Sequence, residues 1–266
     1  MIRLGRINFL HNSPTFFELE RDKSAILEIV SDTPRMLLQK LLDDQLDVAP
    51  IAAVNLLAYR DRLRLVPAMC LHSMGASWST VVVRLKDAEI PTNPRVGVTA
   101  LTDTTQFMFR RILSWEGIKA SFEIMDERTP AAILTRCDLA LVIGDAGLRA
   151  RFDKELEVVF DVGESWTKHV NLPAVFAISS TTTKALKERP EAVKESVSIL
   201  AKAVADRRLN EEAVAESEAM RLGLSITSLK EYFQQLSLDY TENARRGLQR
   251  LLDELSPGSS TKVRNL

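Results

Sequence analysis

The first half of the chain shows strand-like and helix-like patterns of apolar residues in turn. Alternating apolar and polar positions predict a strand over residues 2–10, and Ser13-Pro14 is typical of a helix start. A second strand is predicted over residues 26–30 and leads into another helix start at Thr33-Pro34, and a short buried strand follows at residues 46–51. This order predicts an open, largely parallel sheet.

A second series of strands and helices occupies the middle of the chain. Strands are predicted at residues 80–83, 95–98, 122–124, 139–143 and 172–178, and helices from about Thr102 and Thr129. Beyond Ser180 the chain is mostly helical, with helical spacing over residues 184–208, 210–222, 228–236 and 241–255 and a frayed tail expected at residues 257–260. The middle and the end of the chain thus add a second α/β series and a helical segment.

We therefore expect two α/β lobes joined by two crossing strands. Lobe 1 is predicted to comprise residues 1–85 and 175–266, and lobe 2 residues 86–174. Because ligands bind beyond the carboxyl ends of strands in open α/β sheets, we expect those ends of both lobes to face one cleft.

Composition narrows the range of partners. Lysine and arginine number 35 and aspartate and glutamate 36, so the net charge of −1 argues against a nucleic-acid binder. No apolar run approaches the roughly 20 residues that cross a bilayer, so we expect no membrane partner and a cytoplasmic protein. Cys70 and Cys137 lack a metal-ligand pattern. A disulfide between them is one reading, and free thiols in a reducing cytosol are the favoured one.

Common motifs for nucleotides, metals and nucleophiles are absent from the sequence, so we expect no cofactor and no metal, and the oligomeric state stays open. The remaining candidates are polar loops at predicted strand ends. His11 and Asn12 lie between the first strand and the first helix, where backbone N–H groups suit a carboxylate and a histidine can move a proton near neutral pH. The alternative is that Asn12 and Ser13 cap the helix and His11 packs at the surface.

Three further loops combine small or hydroxyl-bearing residues with a helix start or a strand end. Hydroxyls and free helix N–H groups form a plausible anion cradle, and a carboxylate after an apolar strand is placed to contact a ligand. A plain turn or ordinary helix capping explains each loop equally well when it is taken alone. The candidate substrate-binding residues in these loops are Ser79, Thr80, Thr102, Thr104, Thr105 and Asp145.

A set of short segments, taken in order and spacing, resembles one protein family. The segments are Arg-Leu-Gly-Arg-Ile-Asn-Phe-Leu (3–10), Asp-Thr-Pro (32–34), Leu-Asp-Val-Ala-Pro-Ile (46–51), Ile-Gly-Asp-Ala-Gly-Leu-Arg (143–149), Asp-Val-Gly-Glu-Ser-Trp (161–166), Leu-Pro-Ala-Val-Phe-Ala (172–177) and Tyr-Phe-Gln-Gln-Leu (232–236). The chain is similar to the menaquinone-biosynthesis proteins of the futalosine route, and to chorismate dehydratase in particular. The resemblance covers nearly the whole chain. It implies a bilobal periplasmic-binding-protein-like (type II) fold and a hydro-lyase acting on a small dicarboxylate, chorismate, with no cofactor.

Three positions depart from the family patterns or separate its branches. His11 stands where the family carries an asparagine, and Asn12 is shifted by one position. Asn171 replaces the glycine of the family's Thr-Gly-Leu-Pro stretch. The sister enzyme of the route has a histidine in the segment that contains Asp145 here, so Asp145 favours the dehydratase branch.

Two hypotheses follow. The first is a chorismate dehydratase-like lyase in which Ser79, Thr104 and Thr105 bind carboxylates, and His11 or Asn12 lies near the reacting ring. The base is left open in this hypothesis, and the substrate's own carboxylate is a candidate. The second is a non-catalytic or differently specific binding protein for a small carboxylate, motivated by the altered His11 and Asn171, because a hydrogen-bonding site rejects ligands whose polar groups it cannot pair.

Overall fold

The structure, a computed structural model, describes residues 1–21, 26–126 and 129–256 and divides into two units. Unit 1 comprises Met1–His72, Val175–Ala215 and the chain from Ser237 onward. Unit 2 comprises Ser73–Ala174 and Glu216–Leu236. The tail expected to fray at residues 257–260 lies outside the described residues.

The elements alternate along most of the described chain and become helical near its end. The strands are β1 (Ile2–Ile7), β2 (Leu27–Asp32), β3 (Ala49–Ala52), β4 (Leu63–Ser73), β5 (Val81–Leu85), β6 (Arg95–Thr99), β7 (Ser121–Met125), β8 (Leu139–Val142), β9 (Leu156–Asp161) and β10 (Ala174–Thr182). The α-helices are α1 (Ser13–Phe16), α2 (Pro34–Leu42), α3 (Asn55–Ala58), α4 (Asp103–Trp115), α5 (Pro130–Ile133), α6 (Gly144–Phe152), α7 (Val162–Val170), α8 (Thr183–Glu188), α9 (Pro190–Asp206), α10 (Glu211–Leu222), α11 (Ile226–Gln235) and α12 (Glu242–Leu255). Short 3-10 turns lie at Leu10–Asn12 and Arg207–Asn210.

Unit 1 contains a parallel pair of strands and a three-stranded sheet. β1 pairs with β2 in register from Ile2 opposite Leu27 to Ile7 opposite Asp32. The second sheet has the order β3-β10-β4, with β10 antiparallel to β3. The predicted helix start at Thr33-Pro34 is confirmed, because the Thr33 side chain caps α2 by accepting the Met36 N–H at 3.4 Å.

A buried carboxylate joins separate segments of unit 1. Asp47 is fully buried and accepts hydrogen bonds from Arg3 Nη2 at 2.8 Å, from Arg189 Nε at 2.6 Å and from the Arg3 backbone N–H at 2.8 Å. Its backbone carbonyl accepts from Thr181 Oγ1 at 2.6 Å. Burial alone would raise the pKa of the Asp47 carboxyl, but the hydrogen bonds from Arg189 and Arg3 outweigh it and lower the pKa below its usual value.

Unit 2 is built on one five-stranded mixed sheet with the order β7-β6-β8-β5-β9. β6 runs parallel to β7 and β8, whereas β5 runs antiparallel to β8 and β9. Helix α5 presses closely on this sheet, since a Cβ at Gly97 would lie 2.2 Å from Ile133 Cγ2. The core on this side consists of Val81, Val83, Met125, Ile133, Cys137, Ala140, Val142 and Ala150. Cys137 and Cys70 are both buried free thiols.

The structure differs from the sequence expectation in strands, sheet direction and unit boundaries. β4 and β9 were not predicted, and the antiparallel β5 makes the sheet of unit 2 mixed. Residues 73–85 belong to unit 2 instead of lobe 1, because β5 pairs within the sheet of unit 2. Residues 216–236 also belong to unit 2, where Arg221 and Tyr232 contact residues of that unit. The long helix predicted over residues 184–208 is interrupted before Pro190, since the residue before a proline disfavours the α conformation.

Asp47→Asn is predicted to lower the free energy of unfolding at pH 7 by about 2 kcal/mol, because it removes the charge from a buried acceptor that two partly exposed guanidinium groups hydrogen-bond. The lowered pKa means that the wild-type carboxylate stabilises the fold above the unfolded pKa near 4 and loses this effect as the pH falls through the folded pKa. Urea unfolding should therefore show the difference between wild type and variant shrinking below about pH 4.

Asp44→Asn is the matched control, because the Asp44 carboxylate pairs with Lys184 at the exposed surface. An exposed pair of this kind contributes about 0–1 kcal/mol. Equal stability of Asp47→Asn and Asp44→Asn at pH 7 would contradict the structural role of the buried carboxylate.

Candidate functional site

The two site residues predicted in unit 1, His11 and Asn12, lie in the 3-10 turn that follows β1, and both are buried. Asn12 Nδ2 is 3.2 Å from the Ile7 carbonyl oxygen and 3.2 Å from His11 Nε2. The contact with Ile7 fixes the amide nitrogen as the donor, so His11 Nε2 accepts a hydrogen bond. The neutral imidazole then carries its proton on Nδ1.

The turn and the two elements that flank it, β1 and α1, contain buried polar atoms that lack a hydrogen-bond partner among the described residues. They are Arg6 Nε, Asn12 Oδ1 and Thr15 Oγ1. The rest of the Arg6 guanidinium is held, since Nη2 donates to Ser13 Oγ at 2.9 Å and Nη1 pairs with Glu20. Buried polar atoms normally have partners, so the unpaired atoms call for ordered water or a polar ligand. The capping alternative for Asn12 and Ser13 is not what the structure shows, because no side-chain cap is present at the start of α1.

In unit 2 the segment before β5 is held by one buried carboxylate, that of Asp161. Its oxygens accept the backbone N–H of Ser77 at 2.9 Å, that of Trp78 at 2.8 Å and that of Gly163 at 3.0 Å. Arg151 Nη1 approaches the same carboxylate at 3.3 Å. Asp161 therefore caps α7 and fixes the backbone of residues 77–78 with the same group.

Trp78 adopts a backbone conformation that non-glycine residues rarely adopt, with φ of 64°. Such a conformation costs roughly 1–2 kcal/mol and persists only where the surroundings enforce it. The hydrogen bond to Asp161 enforces it on one side. On the other, the indole packs edge-on against Phe152 at 5.9 Å between ring centroids, with the Arg151 guanidinium 5.1 Å from the indole centroid.

Ser79 is buried immediately after this strained residue, and two neighbours fix its position. A Cβ at Gly147 would lie 2.2 Å from the Ser79 carbonyl oxygen, so only glycine allows α6 to lie this close. Tyr232 Oη donates a hydrogen bond to Ser79 Oγ at 3.0 Å. The hydroxyl proton of Ser79 itself has no acceptor within the described part of the chain.

Thr80 serves the turn that precedes β5. Its backbone N–H donates to Ser77 Oγ at 3.1 Å, and its hydroxyl is hydrogen-bonded to the same oxygen. Because Ser77 Oγ donates onward to Asp161 at 3.0 Å, the Thr80 hydroxyl acts as the donor within the turn. The ligand-binding role predicted for Thr80 stays a prediction, and its observed contacts are internal.

The threonine-rich loop leads from β6 into α4, as the sequence predicts. Thr102 stands at the N-cap position, but its hydroxyl donates to the Thr99 carbonyl at 2.7 Å and caps nothing. Thr104 and Thr105 are buried in the first turn of α4. The first N–H groups of a helix lie outside its internal hydrogen-bond pattern, so this turn combines hydroxyls with backbone donors. Its predicted role in carboxylate binding is compatible with this chemistry and stays a prediction.

Asp145 lies in the first turn of α6, where it forms an ion pair that the sequence did not indicate. Its carboxylate accepts from Arg221 Nη2 at 2.9 Å, and Arg221 also pairs with Glu218. The Asp145 carboxylate is therefore paired with the guanidinium of Arg221, which also belongs to unit 2. Its charge also acts on Tyr232, whose pKa is raised by burial and further by Asp145, so Asp145 lies within electrostatic range of the Tyr232–Ser79 pair.

The predicted residues therefore divide between the units. His11 and Asn12 belong to unit 1, and the other predicted residues belong to unit 2. The residues that sequence reasoning did not assign to the site are Tyr232, Arg221 and Asp161. Tyr232 and Asp161 stand in segments that carry the family resemblance, but nothing in those segments indicates which residues they contact. Within the described residues no group of three or more His, Cys, Asp or Glu side chains could hold a metal ion, and no helix is long and apolar enough to span a membrane.

Solved structures show what this chain resembles in three dimensions. A protein of Archaeoglobus fulgidus is 21% identical over 95% of this chain and 96% of that chain, with a TM-score of 0.75. A Candida albicans protein, described as having the generic periplasmic binding protein fold, is 10% identical over 100% and 97%, with a TM-score of 0.71. The periplasmic aliphatic sulphonate-binding protein of Escherichia coli is 13% identical over 98% and 89%, with a TM-score of 0.68.

These likenesses confirm the predicted α/β fold of the periplasmic-binding-protein type. A family model described as menaquinone biosynthesis matches residues 2–256, which is nearly the whole sequence. This chain belongs to the menaquinone biosynthesis family.

Proposed function

We propose that this protein is a lyase of the chorismate dehydratase type, which removes water from chorismate and forms 3-[(1-carboxyvinyl)oxy]benzoate. The family assigns the chain to menaquinone biosynthesis, and the resemblance of its sequence segments to chorismate dehydratase supports this reaction within it. The observation that carries the proposal is Ser79, a buried serine whose oxygen accepts from Tyr232 and whose proton is left for a ligand. An acceptor such as a carboxylate satisfies that proton.

Chorismate carries two carboxylates, and unit 2 offers donors of two kinds for them. The Ser79 hydroxyl is the first. The buried hydroxyls of Thr104 and Thr105, together with the backbone N–H groups at the start of α4, are the second. In this proposal Asp145 acts indirectly, because its charge is engaged by Arg221.

The chemistry needs little more than orientation and the movement of one proton. A proton leaves the ring carbon that bears the ether oxygen, and hydroxide leaves the neighbouring carbon. The C–H electron pair becomes the new ring double bond, the ring becomes aromatic, and proton and hydroxide depart as water. Positioning of this kind can supply a large part of a rate enhancement.

His11 acts in this proposal as a hydrogen-bond donor at the departing hydroxyl. Asn12 donates to Nε2, so that nitrogen is a poor candidate for the base, whereas Nδ1 carries the proton of the neutral ring. The substrate's own carboxylate then takes the ring proton and delivers it to the hydroxide. The unpaired Asn12 Oδ1 accepts from a donor of the ligand or from a bound water.

The second candidate is a binding protein for a small anion without turnover. Two observations favour it: His11 occupies the position where the dehydratases carry an asparagine, and one solved relative of this fold is a sulphonate-binding protein. In that case chorismate or another small carboxylate binds and is released unchanged.

Purified protein incubated with chorismate is predicted to release an aromatic product that is lighter by one water, measured by chromatography with mass detection. Ser79→Ala should lower kcat/KM by about tenfold or more, because it removes a hydrogen bond to a charged group worth about 1.5–3 kcal/mol. Ser114→Ala, a change of the same type in α4, is the control and should leave kcat/KM unchanged. Binding of chorismate without product, measured by calorimetry, would contradict the lyase and favour the binding protein.

His11→Ala is predicted to lower kcat by about tenfold or more with a nearly unchanged melting temperature, since it removes a donor at the leaving group. His169→Ala is the matched control, because His169 contacts Glu116 in a partly exposed pair. Full activity of His11→Ala in the same assay would show that the turn after β1 takes no part in the reaction.

A further inference from the structure

A helix distant in sequence from every predicted site loop contacts Ser79. Helix α11 buries Leu229, Tyr232 and Phe233, and the Tyr232 side chain is almost wholly buried. Its Oη lies 3.0 Å from Ser79 Oγ, although the two residues are 153 positions apart. A buried phenol needs a hydrogen-bond partner, and Ser79 is the partner that the described residues supply.

The direction of this hydrogen bond follows from the acidity of the two groups. A phenol is a stronger acid than an aliphatic alcohol, so Tyr232 donates and Ser79 accepts. Burial raises the pKa of Tyr232, and the nearby Asp145 charge raises it further, so the phenol keeps its proton at neutral pH. One lone pair of Ser79 Oγ is thereby occupied, and the serine has its own proton left to donate.

The backbone of Ser79 is fixed independently of Tyr232. Asp161 holds the two preceding residues through their N–H groups, and Gly147 lets α6 lie against the Ser79 carbonyl. A side chain that is fixed at its backbone and engaged as an acceptor has few orientations left. Its entropy cost on binding is correspondingly small.

We propose that Tyr232 is a positioning residue: by occupying one lone pair of Ser79 Oγ it directs the serine's own proton toward the ligand, and so favours a ligand group that accepts hydrogen bonds, a carboxylate, over one that only donates. The identification of that group as a carboxylate of chorismate rests on the proposed function. Tyr232 acts through Ser79 and takes no part in bond breaking. The competing explanation is that Tyr232 merely fills the core and Ser79 satisfies its hydroxyl.

A double-mutant cycle separates these explanations, with chorismate and benzoate as the titrated ligands in calorimetry and chorismate as the substrate in turnover. Tyr232→Phe keeps the ring volume and removes only the hydroxyl, and it should raise the Kd for both carboxylates about tenfold. The rise should appear in KM more than in kcat. If Tyr232 acts through Ser79, the double variant should bind no more weakly than Ser79→Ala alone.

Two controls address stability and the change of residue type. Tyr59→Phe, at a partly exposed position of unit 1, should leave both Kd values unchanged. Phe233→Leu alters the core of the same helix beside Tyr232, with 5.9 Å between the ring centroids, and should lower the melting temperature without raising Kd. A rise in Kd for Phe233→Leu as large as that for Tyr232→Phe would assign Tyr232 a merely structural role and overturn the proposal.

The outcomes keep this inference distinct from the proposed function. Non-additive losses of carboxylate binding with no conversion of chorismate would refute the lyase and support the positioning role. Conversion of chorismate with additive losses, or with an unaffected Tyr232→Phe, would support the lyase and overturn the positioning role. Binding of neither carboxylate would overturn both.

Discussion

The buried carboxylate of Asp161 is the constraint on which the candidate site in unit 2 depends. A carboxylate removed from water is costly unless its oxygens accept hydrogen bonds, and Asp161 satisfies this need with backbone N–H groups of the segment before β5 and of the first turn of α7. The same contacts stabilise the left-handed conformation of Trp78. Ser79 follows directly, so its position is set before any ligand arrives, in the manner expected of a preorganised donor.

Unit 1 is stabilised by charge pairs, and its candidate site residues, in the turn after β1, lie among buried polar atoms without partners in the described residues. Asp47 joins Arg3 and Arg189, so charge pairing holds segments that are far apart in sequence. At the turn after β1 the opposite holds, because Asn12 Oδ1 and other buried atoms have no partner among the described residues. A satisfied network rigidifies a fold, whereas unpaired buried atoms are typical of positions completed by water or ligand.

Local patterns were sufficient for much of the fold and for the loops of the candidate site. Helix starts marked by a hydroxyl residue and proline, such as Thr33-Pro34 and Thr129-Pro130, were found where predicted, because capping is decided within four residues. β4 was missed because its burial is nearly continuous and Pro67 interrupts it, which removes the alternation that identifies a strand. Contacts between residues far apart in sequence could not be predicted, because no local pattern indicates that Tyr232 contacts Ser79 or that Arg221 contacts Asp145. The same contacts explain why residues 216–236 belong to unit 2, which the sequence did not indicate.

The most direct test of the Asp161 constraint is amide hydrogen exchange at Trp78 in Asp161→Asn, a variant of equal volume. Its amide oxygen can replace the carboxylate oxygen that serves Ser77 and Gly163, but its NH₂ group then faces the Trp78 N–H. The account predicts that the Trp78 amide exchanges at least about tenfold faster than in wild type, as a lost hydrogen bond of about 1.4 kcal/mol implies, while Val82 in β5 keeps its protection. Unchanged exchange at Trp78 would contradict the account, since the segment that presents Ser79 would then be held by something other than Asp161.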